Sequence, residues 1–371
     1  MAVTMRDVAK AAGVSPASVS FALRGDPRIK QETARHIIDV ANRMNYSVNI
    51  TAKSLRSGRT GVIEAAVFQL DRPFYAQLLA GVSNAAFDRG IQAVVQQIST
   101  GKVGHEKSIL EKVANKFCDG VILSAGGLSD AEIIELSRGK PVVLLDDQSY
   151  QGPFDSVFTP CENGAEAAVT HLFEIGCERV GLVGTDFMPA DQACRSMHVG
   201  DRRLIGCHRA FERHERTLTK ADTIQLFDWD TDDAYRAVSR RIEEGDFPFD
   251  GLFCMTDAIA FGALCALREH GIGVPDDVAV IGFDGVREGS YSAPTLSTIA
   301  VDIDKLAREA VDILCERIEE GRYGAPAMPK HVTVGYEVLV RESSTARADR
   351  SSGGCSRWIA DRWDNSRRFF V

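Results

Sequence analysis

Several features that define other protein classes are missing from this 371-residue sequence. Its nine cysteines are dispersed between Cys118 and Cys355 without a CxxC pair, which argues against a disulfide framework and a zinc site. No apolar run approaches the about 18 residues that a membrane-spanning helix needs. The charged N-terminal residues lack the apolar centre of a signal peptide. These absences predict a cytoplasmic protein with no metal and no membrane association.

Sequence signatures of common enzyme classes are absent as well. The sequence contains no GxxxxGK[ST] phosphate loop, no GxGxxG, no HExxH and no GxSxG. His208 and His214 share a predicted helix but are six residues apart, a poor spacing for a metal site, and the His105-Glu106 pair lacks a second histidine. We therefore predict that the protein is not an enzyme and needs no cofactor. An α/β enzyme remains the strongest alternative class.

Charge is distributed unevenly along the chain. Residues 1–60 carry ten Lys/Arg and four Asp/Glu, a balance of +6, whereas the remaining residues carry −15. A basic head on an acidic body indicates that only the head meets a polyanion. The basic head and the missing signal peptide both argue against a third class, a transport-type binding protein.

The basic head has the pattern of short helices joined by a tight turn. Thr4 and Asp7 resemble a capping box for a helix over 6–12, which Gly13 ends. Ser15 caps a second helix, with Pro16 in its first turn and its end near residue 23. A third helix is predicted over about 32–45. Two short helices around a glycine-containing turn indicate a helix-turn-helix unit, and a three-helix domain without nucleic acid is the alternative.

A short basic segment follows the head. Asn49 can cap a helix over 50–57, ended by Gly58. This helix is too short and polar to be stable alone, so we expect it to fold on DNA.

The body alternates apolar strands with amphipathic helices, which predicts mainly parallel sheets covered on both faces. The number of units exceeds one sheet and therefore favours two similar α/β lobes. The predicted strands cover residues 61–68, 91–98, 120–123, 141–146, 179–184, 223–227, 251–256 and 278–284. The predicted helices cover residues 74–88, 105–117, 164–175, 232–243, 258–270 and 304–319.

The sequence resembles the lactose-repressor/galactose-repressor (LacI/GalR) family of bacterial transcriptional regulators. The resemblance is carried by RDVAKAAGVSPASVSFALRGDPRI, by RMNY at 43–46 and by AKSLRSG at 52–58, and it continues to LVRESS at 339–344. It implies an α/β fold class with an all-helical helix-turn-helix head and a two-lobed core like that of periplasmic binding proteins. The implied domains are a head (1–48), a hinge helix and linker (49–60) and a core (61–344), followed by a tail (345–371) that departs from the family and that we expect to be disordered. Lobe one is expected over about 61–159 and 299–322, and lobe two over about 160–298 and 323–344.

The resemblance places the second helix of the head in the major groove of operator DNA. The implied DNA contacts are Ser15, Pro16, Ala17, Ser18, Ser20 and Phe21 in the head and Ala52, Leu55 and Arg56 in the hinge. Leu55 is expected to wedge into the minor groove and kink the DNA. Phe21 stands where the family commonly has an arginine that reads guanine. Phenylalanine cannot make that bidentate bond, so Phe21 either touches a thymine methyl group or packs in the core of the head.

The resemblance also implies a small-molecule effector between the lobes, near the carboxyl ends of strands. The implied effector-binding residues are Asp71, Phe74, Arg203, Trp229, Thr256, Asp257 and Asp284. Carboxylates and a guanidinium beside an aromatic face suit a sugar or a sugar derivative. Asp71 can alternatively be a loop or helix-capping residue, Asp284 can alternatively cap the next turn, and Trp229 can alternatively pack beneath a loop. Thr256 replaces the usual asparagine, and the loop over 184–199 is longer than usual.

These expectations combine into a mechanism. A homodimer binds a pseudo-palindromic operator in double-stranded DNA, and the effector changes the angle between the lobes and hence the operator affinity. Repression is favoured because most family members repress, whereas the sequence does not distinguish an inducer from a corepressor.

Overall fold

The computed structural model describes residues 3–23, 25–46, 59–98, 118–124, 128–146, 152–196, 198–321 and 328–345. The chain divides into two compact units, Met1–Gly61 and Val62–Val371. Three predicted segments lie outside the described residues: the hinge with Ala52, Leu55 and Arg56, the helix over 105–117, and the tail after Thr345.

The first unit contains the three predicted helices: α1 (Met5–Ala12), α2 (Pro16–Ala22) and α3 (Gln31–Arg43). The capping box at the start of α1 is present, because the Thr4 amide donates to the Asp7 carboxylate at 2.9 Å and the Asp7 amide donates back to Thr4 Oγ1. Gly13 ends α1 with a φ of 66°, a left-handed conformation that glycine adopts without strain. Val8, Val19 and Ile37, one from each helix, are fully buried and form the centre of a small apolar core.

The second unit is built from two six-stranded sheets with helices on their faces. Its described helices are α4 (Pro73–Asp88), α5 (Asp130–Ser137), α6 (Cys161–Glu174), α7 (Ala190–Ala193), α8 (Val199–Arg213), α9 (Thr231–Glu243), α10 (Asp257–Glu269) and α11 (Ile303–Glu320). Its described strands are β1 (Val62–Val67), β2 (Gln92–Gln97), β3 (Gly120–Leu123), β4 (Val142–Leu145), β5 (Asp155–Phe158), β6 (Val180–Val183), β7 (Thr223–Ile224), β8 (Gly251–Cys254), β9 (Ala279–Asp284), β10 (Ser297–Val301), β11 (His331–Thr333) and β12 (Tyr336–Leu339).

Each sheet forms one lobe. The sheet of lobe one has the order β11-β5-β4-β3-β1-β2 and is parallel throughout. The sheet of lobe two has the order β12-β10-β9-β8-β6-β7 and is parallel except for β12, which runs antiparallel to β10. The central strands are apolar and buried, as expected for parallel strands covered on both faces. The predicted parallel α/β class is confirmed.

The chain passes between the lobes three times in its described part. The crossings follow β5, β10 and β11, because α11 packs on the sheet of lobe one and β12 belongs to that of lobe two.

The predicted lobe boundaries near 299 and 323 differ from this arrangement. β10 remains in lobe two up to Val301, and β11 belongs to lobe one because it pairs in parallel with β5. Polar Ser297 and Thr298 begin β10, and β11 has only three residues, so neither strand gives an apolar run in the sequence.

No helix in the described part of the chain is both long and apolar enough to cross a membrane.

Candidate functional site

The second helix of the head presents an exposed face made of small polar and apolar residues. Ser15, Pro16 and Ala17 are exposed, whereas Ser18, Ser20 and Phe21 are half-buried. Ser15 Oγ accepts a hydrogen bond from the Ser18 amide at 3.1 Å and thereby caps the helix, with Pro16 in the first turn. The contacts of these six residues with DNA stay predictions.

Phe21 lies near the end of α2, outside the set of side chains that pack on the apolar core of the head. Its ring is instead covered by the guanidinium of Arg28, whose central carbon lies 4.1 Å from the ring centroid. The interpretation of Phe21 as a core aromatic is therefore not supported by its position.

A cavity of about 670 Å³ lies between the two lobes, and we call it the interlobe cleft. Both lobes contribute to its walls at the carboxyl ends of their strands, where α/β folds bind ligands. Residues lining it from lobe one include Phe68, Arg72, Phe74, Tyr75, Ser124 and Asp146. Residues lining it from lobe two include Thr185, Asp186, His198, Asp201, Arg203, Gln225, Trp229, Thr256 and Asp284.

Arg203 projects from α8 into the cleft and is almost completely buried. One of its terminal nitrogens donates to the Met255 carbonyl, and the other lies 3.7 Å from Asp284 Oδ1. Its guanidinium stacks 3.7 Å from the ring centroid of Phe283 and lies 5.7 Å from that of Trp229. The Nε atom of Arg203 is buried and has no hydrogen-bond partner among the described residues.

Asp284 ends β9 with a φ of 128°, a strained conformation for a residue with a side chain. Burial raises the pKa of its carboxyl well above the ordinary value, Arg203 lowers that pKa, and Asp257 raises it further. The strained backbone places the carboxylate at the cleft wall, where it can accept hydrogen bonds from a ligand.

Asp257 is completely buried and does not line the cleft. Its carboxylate accepts hydrogen bonds from Thr298 Oγ1 at 2.6 Å and from the amides of Gly285 and Val286 at 2.9 and 2.8 Å. Burial raises its pKa to about 6, and these hydrogen bonds oppose the shift. Asp257 thus fixes the loop that follows Asp284, and direct effector binding by Asp257 stays a prediction without geometric support.

The other predicted effector residues divide into two groups. Phe74, Trp229 and Thr256 line the cleft, and Thr256 also caps α10 by accepting from the Ile259 amide at 3.2 Å. Asp71 is exposed and is not part of the lining, which fits its alternative as a loop residue.

Several lining residues were missed by the sequence reasoning, and Asp146 and Tyr75 are two of them. Asp146 directly follows β4 and accepts hydrogen bonds from the Thr159 amide and Oγ1 at 2.6 and 2.8 Å, and burial raises its pKa. Tyr75 contacts Phe74 edge to face at 5.3 Å between ring centroids. The rule that selected Asp284, a carboxylate at the end of a buried parallel strand, also applies to Asp146.

Among the described residues, no group of three or more His, Cys, Asp or Glu is arranged to hold a metal ion.

Comparisons with known proteins agree with these two sites. Residues 4–49 match the family model of bacterial regulatory proteins of the lacI family, and residues 169–344 match a periplasmic binding protein-like domain. The HTH-type transcriptional repressor PurR of Aliivibrio salmonicida is 27% identical over 342 residues, which cover 92% of this chain and 98% of that protein.

Solved structures show the same relationship. A structure described as a transcriptional regulator of the LacI family, from Sanguibacter keddieii, is 32% identical with a TM-score of 0.69, and the match covers 77% of this chain and 99% of that chain. The Lac repressor dimer bound to operator and the anti-inducer ONPF shares the fold, with a TM-score of 0.78 at 24% identity over 93% of this chain and all of that chain.

These relatives are transcriptional regulators and not enzymes, so the predicted class is confirmed. This chain belongs to the LacI family of bacterial regulatory proteins and is a DNA-binding transcriptional regulator.

Proposed function

We propose that this protein is a ligand-responsive repressor whose affinity for a specific operator changes when a small molecule binds in the interlobe cleft. The observation that carries the proposal is the buried Arg203–Asp284 pair, which faces a cavity of about 670 Å³ between two lobes. A paired guanidinium and carboxylate at the wall of a large cleft offer directional donors and acceptors to a polar ligand.

We infer that the effector is a sugar or a sugar derivative without a phosphate group. The lining carries the four carboxyls of Asp146, Asp186, Asp201 and Asp284 against two guanidiniums, so a phosphorylated ligand is disfavoured by charge. Carboxylates accept hydrogen bonds from ring hydroxyls, and Phe74 and Trp229 offer apolar faces to the ring. A nucleobase is the second candidate, because the same aromatic faces suit a flat heterocycle.

The cleft couples ligand binding to lobe movement because both lobes contribute contacts. Phe74 and Asp146 come from lobe one, and Arg203, Trp229 and Asp284 come from lobe two. A ligand that touches both walls binds with an affinity that depends on the distance between them. It therefore favours one lobe arrangement, which is the condition for allosteric control of the head.

The test combines a ligand screen with operator binding. Thermal stabilisation by pentoses, hexoses, disaccharides, sugar phosphates and nucleobases is measured on the full chain, and each hit is titrated into a complex with operator DNA. Arg203→Lys and Asp284→Asn should reduce affinity for the hit at least about tenfold, because charge-assisted hydrogen bonds are lost. Operator binding without the ligand should remain.

Matched controls separate the cleft from general effects. Arg236→Lys and Asp232→Asn make the same changes on α9 at residues that do not line the cleft, and both should respond to the hit like the wild type. A hit that binds all four variants equally would contradict the assigned cleft. A nucleobase as the only hit would replace the sugar assignment and leave the regulator assignment intact.

We also propose that the protein acts as a homodimer through the β2 edge of lobe one. Phe87 at the end of α4 is 80% exposed, and Val94 and Val95 on edge strand β2 are 51% and 38% exposed. Exposed apolar side chains at a sheet edge, as in this described part of lobe one, mark an interaction surface. A second copy of this chain is the occupant we assign, and the dimeric Lac repressor has the same fold.

A further inference from the structure

We propose that Arg28 is the guanine-reading side chain of the head and that Phe21 and Asp26 position it. The inference rests on the proposed operator binding and concerns how one base pair in each half-site is recognised. It assigns a role to Phe21, which stands where relatives commonly have an arginine.

Asp26 holds one edge of the Arg28 guanidinium. Arg28 Nε donates to Asp26 Oδ1 at 2.9 Å and Nη2 donates to Oδ2 at 2.7 Å, a bidentate ion pair. The Arg28 backbone amide donates to the same carboxylate at 3.0 Å. This pairing uses Nε and one hydrogen of Nη2, so Nη1 and the second hydrogen of Nη2 form a free edge. That edge has the geometry of the bidentate bond to O6 and N7 of guanine.

Phe21 supports the flat face of the same guanidinium. The central carbon of the group lies 4.1 Å from the ring centroid, within the range of a cation–π contact. The loop that carries Asp26 is tied to the end of α2, because the Asp26 amide donates to the Phe21 carbonyl at 3.0 Å. Ring, carboxylate and backbone therefore fix Arg28 in one orientation relative to α2.

Phe21 and the Arg28 guanidinium stacked on it lie on the side of α2 that is predicted to face DNA. Ala17 and Phe21 are four residues apart and thus lie on the same side of α2, where Ala17 is exposed. The six residues of α2 and its cap that are predicted to contact DNA carry no charge. Arg28, whose side chain is 68% exposed, brings a guanidinium to this face.

Prior ordering explains why such a side chain gives specificity. A free arginine loses rotamer entropy when it binds a base, whereas a held one has already lost it in folding. The negative charge of Asp26 also repels DNA phosphates, which disfavours a contact between the paired Arg28 guanidinium and the DNA backbone. The held guanidinium is therefore suited to base reading more than to nonspecific phosphate attraction.

The test begins with binding-site selection from a random double-stranded DNA library by the full chain. Fluorescence anisotropy is then measured on the selected operator and on operators with single base-pair changes. Arg28→Ala should weaken binding to the selected operator by roughly ten- to a hundredfold and abolish the preference for one G·C pair in each half-site. The exposed Arg43→Ala on α3 removes the same charge and should weaken binding to all sequences equally.

Variants of Phe21 distinguish positioning from direct reading. Phe21→Tyr keeps the ring and should keep the G·C preference, whereas Phe21→Leu should lose it at the same position as Arg28→Ala. The double variant Phe21→Leu/Arg28→Ala should be no weaker than Arg28→Ala alone, because both changes remove one contact.

Three outcomes would overturn the inference. An unchanged selected sequence for Arg28→Ala excludes Arg28 as the reader. Loss of an A·T preference alone in Phe21→Leu would mean that Phe21 reads a thymine methyl group itself. Failure of the wild type to select any sequence would overturn both the proposed operator binding and this inference. If the wild type selects a sequence and Arg28→Ala selects the same one, the proposed operator binding stands and only this inference fails.

Discussion

Glu64 lies in the middle of β1 between apolar neighbours and is completely buried. Neither of its carboxylate oxygens has a hydrogen-bond partner. Burial raises its pKa from the ordinary 4.5 to about 7, and the charge of Lys140 opposes the shift. Glu64 was not predicted from the sequence, because the apolar pattern of a strand does not show whether a single acidic residue within it is buried. Asp284, by contrast, was found because its position at a strand end is readable from order along the chain.

The raised pKa makes stability depend on pH. Between pH 4.5 and about 7 the folded chain holds a proton on Glu64 that the unfolded chain has released, so the free energy of unfolding falls as pH rises through this window. Glu64→Gln mimics the protonated side chain and should be more stable than the wild type at pH 8 by roughly 3 kcal/mol, and equal to it at pH 4. Denaturant unfolding at both pH values measures the difference. Glu337→Gln changes an exposed side chain and should not alter the free energy of unfolding at either pH. An equal gain in stability of Glu64→Gln at both pH values would exclude ionisation as the cause.

Helices α6 and α8 approach each other so closely that the contact depends on one glycine. A Cβ atom on Gly206 would lie 2.0 Å from the Glu162 carbonyl oxygen and 2.8 Å from the Glu166 amide nitrogen. Ion pairs at 2.7 Å between Arg209 and Glu162 and at 2.6 Å between Arg213 and Glu166 bridge the same two helices. The sequence placed His208 and His214 on one helix but did not predict where that helix begins, and Arg203 was identified through the family pattern.

Gly206→Ala should therefore separate α6 from α8. The overpacked contact should cost about 3 kcal/mol or more, because backbone atoms cannot move aside as a flexible side chain can. Since α8 carries Arg203, effector affinity should fall as well. Thermal unfolding checks the first effect and ligand titration the second. Gly335→Ala is the control, with nothing within 4 Å of the added methyl group, and equal stability of the two variants would contradict the close approach.

At the scale of the whole molecule, the division into a helical head and a two-lobed core was predictable, because charge balance, glycine turns and strand–helix alternation each change along the chain. The sheet to which each of the last two strands belongs was not predictable from the sequence. β11 and β12 are short and separated by two residues, yet they join different sheets, and only pairing with β5 and β10 decides this. Such pairing is set by tertiary contacts that no local pattern records.

The exposed apolar residues at the β2 edge of lobe one give a prediction about assembly. Phe87→Glu combined with Val95→Lys should convert a dimer into a monomer, because charges replace the apolar contact area of both copies. Sedimentation velocity should show the halved mass, and operator affinity should fall at least about tenfold since two heads no longer bind together. Ile134→Glu alters a side chain that is 55% exposed on α5 and should leave the mass unchanged. A monomeric wild type would contradict the proposed interface.

The order of strands in the two sheets also governs when each part of the protein can fold during synthesis. Both sheets take their outermost strand from the final stretch of the chain, β11 in one and β12 in the other, so neither is complete until nearly the whole polypeptide has left the ribosome. The core of the head, by contrast, is complete by Tyr46. Domains generally fold as they emerge, N-terminal first. A premature stop codon anywhere between these points would therefore release a fragment with intact helix-turn-helix and no ligand control.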